Sequence, residues 1–308
     1  MHVCILGAAA GGGLPQWNCR CANCDAARKA SGDVAARTQS SAAVSADGQS
    51  WFLLNASADV RHQLLATSAL WPPHGADRGT TIAGCLLTDA EIDHASGLLQ
   101  LREGGRFGIY STPAVRSWLT EYLPIRKILG SFADRPWTDY ADDRLVALEL
   151  PDGKPSGLSV RTVSVGEDIP RFVPDHAVPE VGGSVVGLQI VEETTGATLV
   201  YAPGVPNITD ELSNAVSEAR GLLIDGTFWT DDEPQHAGIT DSTATEMGHV
   251  PVSGDGGTLN WLAALDAPQR VYVHINNTNP MLNDRSPQRQ QVEQAGIRVG
   301  VDGDTFTL

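Results

Sequence analysis

The sequence is short of positive charge, of histidine and of long apolar runs. It has 21 lysines and arginines against 37 aspartates and glutamates, a formal net charge of -16 at pH 7. A surface of that sign repels phosphate backbones and anionic headgroups, so neither nucleic acid nor a membrane surface is an expected partner. No stretch approaches the roughly 18 consecutive apolar residues that a bilayer span requires. The apolar N-terminal segment MHVCILGAAAGGG lacks the basic residues that open a secretory signal, and reads as a strand followed by a glycine loop. That loop, Gly7 to Gly13, lacks the GxGxxG spacing of a dinucleotide-binding turn, and LPQWNCRC stands where the helix should begin. There is no internal repeat and no low-complexity linker. A cytoplasmic protein is expected, with one domain over residues 1–308.

Cysteine is scarce and uneven. Of five, three fall within Cys19-Arg20-Cys21-Ala22-Asn23-Cys24. An odd number so crowded does not suit a disulfide framework in a reducing compartment. Three thiolates this close can converge on one ion, and soft sulfur in a tetrahedral set favours zinc. A closed thiolate site is structural, because it leaves no open position. A zinc-binding loop near residues 15–28 would pin the segment that carries Gln16 and Trp17. The fourth ligand is left open among Cys4, Cys85, Asp25 and a histidine from elsewhere.

What is abundant is short strand-like runs: HVCIL, SAAVSA, WFLLN, TIAGCLL, RFGIY, RLVALEL, LSVRTVSV, SVVGLQIV, ATLVYAP, GLLID, RVYVHI and IRVGVD. Helix-like stretches lie between some of them, including ADVRHQLLATSAL, PAVRSWLTEYL, TDELSNAVSEA, LNWLAALD and SPQRQQVEQAG. Two packed sheets with helices outside would bury so many strands in one core. The Pro-rich segment from Asp168 to Val181 has weak periodicity and reads as a long loop, the kind that often carries function.

The stretch LTDAEIDH, Leu87 to His94, follows an apolar strand and precedes a helix-like run. It is similar to the metallo-β-lactamase loop HxHxDH, in which the HxH imidazoles hold a first metal and the DH pair a second. Here Asp89 and Glu91 stand where imidazoles would be. Asp93, His94 and His274 keep the second set, and Asp225, at the end of GLLID, fits the bridging aspartate. Both Asp225 and His274 end apolar runs, where α/β-type folds present ligands. Two imidazoles with one or two carboxylates and open positions match non-haem iron oxygenases. They match poorly a two-zinc hydrolase, whose two ions clamp attacking and leaving oxygens. Asp89 and Glu91 remain as hard oxygen ligands for a weakly held second ion, as supports for the ligands, or as acid and base. His249 and His176 stand in loops, His176 where a missing first-metal ligand could originate. His2, His62, His74 and His236 read as surface residues.

Taken together, GAAAGGGLPQWNCRCANC, NASADVRHQL, TDAEIDHASGLL, LLIDGTFWTDDE, EMGHVP and HINNTNPMLNDRSPQR, spread from Gly7 to Arg289, resemble the pyrroloquinoline quinone biosynthesis protein B family. That family is a divergent branch of the metallo-β-lactamase superfamily. The resemblance implies an αββα sandwich of two mixed sheets flanked by helices. It implies structural zinc on Cys19, Cys21 and Cys24, tied to homodimer formation. It implies Fe(II) on Asp93, His94 and His274, with Asp225 as fourth or bridging ligand. The implied reaction is O2-dependent hydroxylation of the tyrosine ring in a Glu-Tyr-derived precursor of the cofactor. Asp89 or Glu91 would accept a phenolic proton, and His249 would stand beside the reacting group. Gln16, Trp17, Asn55, Ser57 and Arg61 would rim the substrate cleft, with Arg61 as a bidentate partner for substrate carboxylates. DIPRFVPDHAVPEVGG departs from the family pattern. A carrier of the finished quinone and a metal-dependent hydrolase are the competing functions. Zinc binds such a site more tightly than ferrous iron, so zinc in a crystal would not identify the working metal.

Overall fold

The structure is a computed structural model that describes the chain except residues 31, 142–143 and 178–182. Fourteen strands are described: β1 (His2–Gly7), β2 (Ser41–Ser45), β3 (Trp51–Leu54), β4 (Ile82–Leu86), β5 (Gly108–Ser111), β6 (Trp137–Asp139), β7 (Val146–Glu149), β8 (Pro155–Ser164), β9 (Val186–Glu192), β10 (Thr198–Ala202), β11 (Gly221–Asp225), β12 (Gln269–Val273), β13 (Arg298–Val299) and β14 (Thr305–Thr307). They form two seven-stranded sheets, ordered β14-β1-β2-β3-β4-β5-β6 and β13-β12-β11-β10-β9-β8-β7. Both are mixed. β3 to β6 run parallel in the first, β10 to β13 in the second. The described α-helices are α1 (Ala22–Arg28), α2 (Val60–Ala66), α3 (Ile92–Ala95), α4 (Pro113–Glu121), α5 (Ile125–Leu129), α6 (Asp210–Ser217), α7 (Glu233–His236), α8 (Thr258–Ala263) and α9 (Pro287–Gln294), with short 3-10 turns besides.

Strand alternation divides the apolar residues among three layers. Phe52, Leu54, Leu188, Tyr201 and Leu223 meet between the sheets. Their neighbours turn outward: Leu53 and Cys85 pack under Val60 and Trp118 of α2 and α4, while Leu222 and Ile224 pack under Leu212 and Val292 of α6 and α9. Strands covered on both faces read as unbroken apolar runs, as TIAGCLL and GLLID do. Two packed sheets are what the strand count implies, and with helices on both outer faces they make the αββα sandwich that the family resemblance implies. Among the described residues no helix is long and apolar enough to cross a membrane.

Twelve strand-like runs in the sequence each hold one of these strands, and the two they omit, β6 and β14, are three-residue edge strands. ADVRHQLLATSAL is not one helix. α2 ends at Ala66, Thr67 is extended at φ -108° and ψ 99°, and Ser68–Leu70 form a separate 3-10 turn. Of the long loop from Asp168, residues 168–177 carry only one 3-10 turn, Asp175–Ala177, and residues 178–181 lie outside the described ones.

Candidate metal centre

Parallel strands of the two sheets end at one edge and present their C-terminal residues to a shared cleft. β4 leads into Leu87–Glu91 and α3, β11 ends on Asp225, and His274 follows the last residue of β12. Ligands are expected at such strand ends. The cleft is a cavity of about 650 Å³, with Asp93, His94 and His274 in its lining.

The DAEIDH loop is held from below. Asn55 stands in the left-handed region at φ +60°, which asparagine tolerates better than most residues. Its side chain accepts from Thr88 N (3.0 Å) and donates to Thr88 Oγ1 (2.9 Å). Thr88 Oγ1 donates in turn to Asp89 Oδ2 at 2.7 Å. Both Asp89 oxygens reach His94 Nδ1, at 2.9 and 2.7 Å. Asp89 thus occupies an imidazole's place in the motif and serves to orient the one imidazole that follows. Burial opposes its charge, but His94 and the hydrogen bonds from His94, Thr88 and Glu91 hold its carboxyl below the usual range. Burial likewise opposes charge on His94, yet Asp89 and Asp93 together raise it to about 10. Glu91 moves the other way: burial, then the charges of Asp89 and Asp93, push it up to about 7.

With Nδ1 of His94 tied to Asp89, its Nε2 is buried and has no hydrogen-bond partner. It points to Asp93, whose Oδ2 lies 3.9 Å away and 3.4 Å from His274 Nε2. A buried ring nitrogen without a partner is a costly vacancy unless something binds it. One carboxylate and two imidazole nitrogens within 4.8 Å of one another fit a divalent cation. Gly11 lets the chain pass close by, since a Cβ there would come within 3.1 Å of Asp93 Oδ2. A second set, Asp225, His249 and His274, shares His274 with the first. There Asp225 Oδ2 accepts from Val205 N (2.9 Å) and His249 Nδ1 (2.7 Å), and Oδ1 accepts from Thr227 N (2.9 Å) and Oγ1 (2.6 Å). His249 stacks on His274 with ring centroids 5.4 Å apart.

The cavity lining holds Asp89, Glu91, Asp93, Asp168 and Glu246 but, among the described residues, a single Lys or Arg, Arg171. Phe172, Phe228, Ile92 and Ile169 supply apolar walls.

The structure brings Asp89, Glu91, Asp93, His94, His249 and His274 to this cavity, with Asp225 directly behind. The five residues expected on its rim lie elsewhere. Asn55 and Ser57 are fully buried, Asn55 under Thr88 and Ser57 against Gln63. Asn55 turns inward to hold the loop's backbone at Thr88, and Ser57 to bond the Gln63 side chain. Arg61 is exposed on α2. Gln16 bonds Asn18, and Trp17 is 86% exposed beside the cysteine loop. None of the five is in the lining. His176 is exposed, with its ring 6.5 Å from that of Tyr122, and does not reach the metal set. Thr227, which joins Asp225 to His274, was not marked by any sequence signal beyond its place after Asp225.

The Cys19, Cys21 and Cys24 sulfurs also lie within 4.8 Å of one another. Cys21 caps α1 and Cys24 sits in its first turn. Cys4 and Cys85 belong to a different layer, under the helices of the first sheet, and Asp25 pairs with Arg28. The group that faces the three sulfurs is instead the buried side chain of Asn277, with Nδ2 at 3.1, 3.5 and 3.3 Å. HINNTNP therefore serves both centres, His274 in the cleft and Asn277 at the cysteines.

Residues 50–275 match the family model of the Beta-lactamase superfamily domain. The chain is 42% identical over 319 residues to coenzyme PQQ synthesis protein B of Nitrosococcus oceani, covering all of both chains. It is 43% identical to that of Gluconacetobacter diazotrophicus, covering all of this chain and 99% of the relative. Among solved structures it is similar to Zn(2+)-bound PqqB from Methylobacterium extorquens, at a TM-score of 0.90 and 39% identity over all of both chains. A diphosphatase of the PhnP family shares the fold at a TM-score of 0.66 and 19% identity, covering all of this chain and 97% of that one.

Proposed function

The chain belongs to the coenzyme PQQ synthesis protein B family of the beta-lactamase superfamily, and from that membership we propose that it hydroxylates the tyrosine ring of a Glu-Tyr-derived precursor of that cofactor, using Fe(II) and O2. The observation that carries this reading is the fate of Asp89. Both its oxygens are spent on His94 and Thr88, so it is not free to hold the first ion of a two-metal hydrolase. Two sets of two imidazoles and a carboxylate remain and share His274, and the Asp93 set opens to a cavity with apolar walls.

Asp93, His94 and His274 would hold the iron, with Asp225 behind His274. Ferrous iron bound there supplies the redox chemistry that activates dioxygen. The chain's own residues do the rest. Phe172, Phe228 and Ile169 flank a flat ring and keep water from it. Glu91, near neutrality in its pKa, takes up the phenolic proton, since an acid-base group works best when poised near the operating pH. His249, held by Asp225 and stacked on His274, is a second proton-handling group.

Arg171, not Arg61, is the cation available to a substrate carboxylate in this acidic cavity. Arg171→Gln is expected to raise KM by roughly 10-fold or more with a smaller change in kcat, since a hydrogen bond to a charged group contributes about 1.5–3 kcal/mol. Steady-state kinetics on the precursor check this, and an unchanged KM removes Arg171 from recognition.

Zinc on Cys19, Cys21 and Cys24 would be the structural ion of a homodimer. Cys24→Ser is expected to remove one zinc per chain. It should also lower Tm by at least about 2–4 °C, the shift that accompanies a loss of about 1 kcal/mol. Elemental analysis reads the first effect and calorimetry the second.

The test of the reaction is anaerobic Fe(II) reconstitution followed by oxygen uptake with the precursor, comparing wild type with His274→Ala. A product that gains oxygen mass in the wild type alone supports the hydroxylase. No uptake, with the precursor unchanged and the finished quinone tightly bound, overturns it in favour of a carrier.

A further inference from the structure

We propose that Thr227 is the positioning residue of the metal centre: its hydroxyl fixes His274 with the proton on Nδ1, leaving Nε2 bare for the cation. The inference rests on the metal-centre reading above and adds a residue to it.

Thr227 is 3% exposed, and four polar atoms crowd its Oγ1. They are Asp225 Oδ1 at 2.6 Å, His274 Nδ1 at 2.8 Å, the His274 carbonyl at 2.9 Å and His249 Nδ1 at 3.2 Å. A hydroxyl has one hydrogen to give and two lone pairs to offer. An ionised carboxylate only accepts, and O–H···O⁻ bonds at about 2.5–2.7 Å are the strong, charge-assisted ones. Two acceptor-only oxygens compete for the Thr227 hydrogen, Asp225 Oδ1 at 2.6 Å and the His274 carbonyl at 2.9 Å, and the charged, nearer carboxylate takes the larger share; with either, the hydrogen is spent. With that hydrogen spent, Oγ1 can only accept from His274 Nδ1, so Nδ1 carries the ring proton. His249 Nδ1 donates to the other oxygen of the same carboxylate, at 2.7 Å. One carboxylate thus sets His274 through Thr227 and His249 directly.

The backbone adds to this. His274 is held at φ +54°, a left-handed conformation that persists in a residue with a side chain where the surroundings impose it. Thr227 is part of what imposes it. Its carbonyl accepts from Asn276 N (3.0 Å) and Asn279 Nδ2 (3.3 Å). Both ligating imidazoles are then oriented from behind by an oxygen, His94 by Asp89 and His274 by Thr227, and their Nε2 atoms converge on Asp93.

The experiment titrates Co(II) into wild type, Thr227→Val, Thr227→Ser and His274→Ala. Thiolate charge-transfer bands mark the cysteine site and weaker d–d bands mark the cleft. Thr227→Val should weaken cleft binding roughly 10–100-fold and Thr227→Ser should stay within about threefold of wild type, the scale on which groups behind metal ligands act. In the zinc-loaded wild type, long-range proton–nitrogen correlation should place the His274 proton on Nδ1, which tests the inference even if the valine variant misfolds. Wild-type affinity in Thr227→Val, or a His274 proton on Nε2, overturns it. Absence from wild type of any cleft band that His274→Ala abolishes would instead overturn the metal-centre reading, and this inference with it.

Discussion

Asp93→Asn is expected to empty the cleft of metal and to stop turnover. Its Oδ2 lies between the two Nε2 atoms, 3.9 Å from His94 and 3.4 Å from His274, and it is the only carboxylate of that set. Burial raises its pKa, but the neighbouring imidazoles outweigh burial and hold the carboxyl ionised well below the ordinary range, ready to ligate at any physiological pH. The amide keeps the shape and removes the charge. Affinity should fall by more than about 100-fold, beyond what a residue outside the ligand set costs, and activity should follow occupancy. The second set makes the outcome informative. His94→Ala damages only the Asp93 set, His249→Ala only the Asp225 set, and His274→Ala both. Metal content of the four variants therefore assigns the ion. Full occupancy in Asp93→Asn and loss in His249→Ala would move it to the Asp225 set.

Much of the fold was legible because burial on both faces writes strands as apolar runs. GLLID and RVYVHI could be placed, and with them Asp225 and His274, because each ends such a run and strand ends point into the cleft. β6 and β14 were not legible, since three residues at a sheet edge carry too little alternation to read. The rim was harder still. Asn55 and Ser57 are polar residues in an apparent loop, which suggests a solvated rim, yet both are buried to satisfy backbone and loop groups. Nothing local distinguishes that use of a short polar side chain from exposure. Arg171, the single Lys or Arg of the cavity lining among the described residues, lies in a Pro-rich segment whose weak periodicity says nothing about facing, whereas Arg61 lies in a stretch that reads as a helix. Thr227 and Asn277 act across long sequence separations, on His274 and on the three cysteines, and one sequence does not show such pairings.

The carboxylate that replaced an imidazole should prove a larger structural liability than any ligand. Asp89→Ala leaves His94 buried with an oriented proton and no acceptor, and breaking a buried pair by removing one partner costs about 3–5 kcal/mol. The pH dependence follows from the direction of the two shifts in the metal-free protein. Asp89 is depressed, so its contribution is present above the ordinary carboxylate pKa of about 3.9 and is lost as pH falls below it. His94 is raised to about 10, so its contribution is complete below the ordinary imidazole value and is lost as pH rises toward 10. The gap in unfolding free energy between wild type and Asp89→Ala should therefore be widest between about pH 4 and 6.5 and narrow on both sides. Denaturant unfolding across pH 3–10 measures it, and a gap independent of pH would show that Asp89 acts by packing alone. Metal loading should shift oppositely with pH. His94 must give up its Nε2 proton to bind a cation, so wild-type affinity should climb about tenfold per pH unit until the ring no longer carries that proton. In Asp89→Ala the ring loses that proton more readily but also loses its orientation. Its affinity should be weaker by roughly 10–100-fold at high pH, with a flatter pH profile that separates the electrostatic part of Asp89's role from the geometric one.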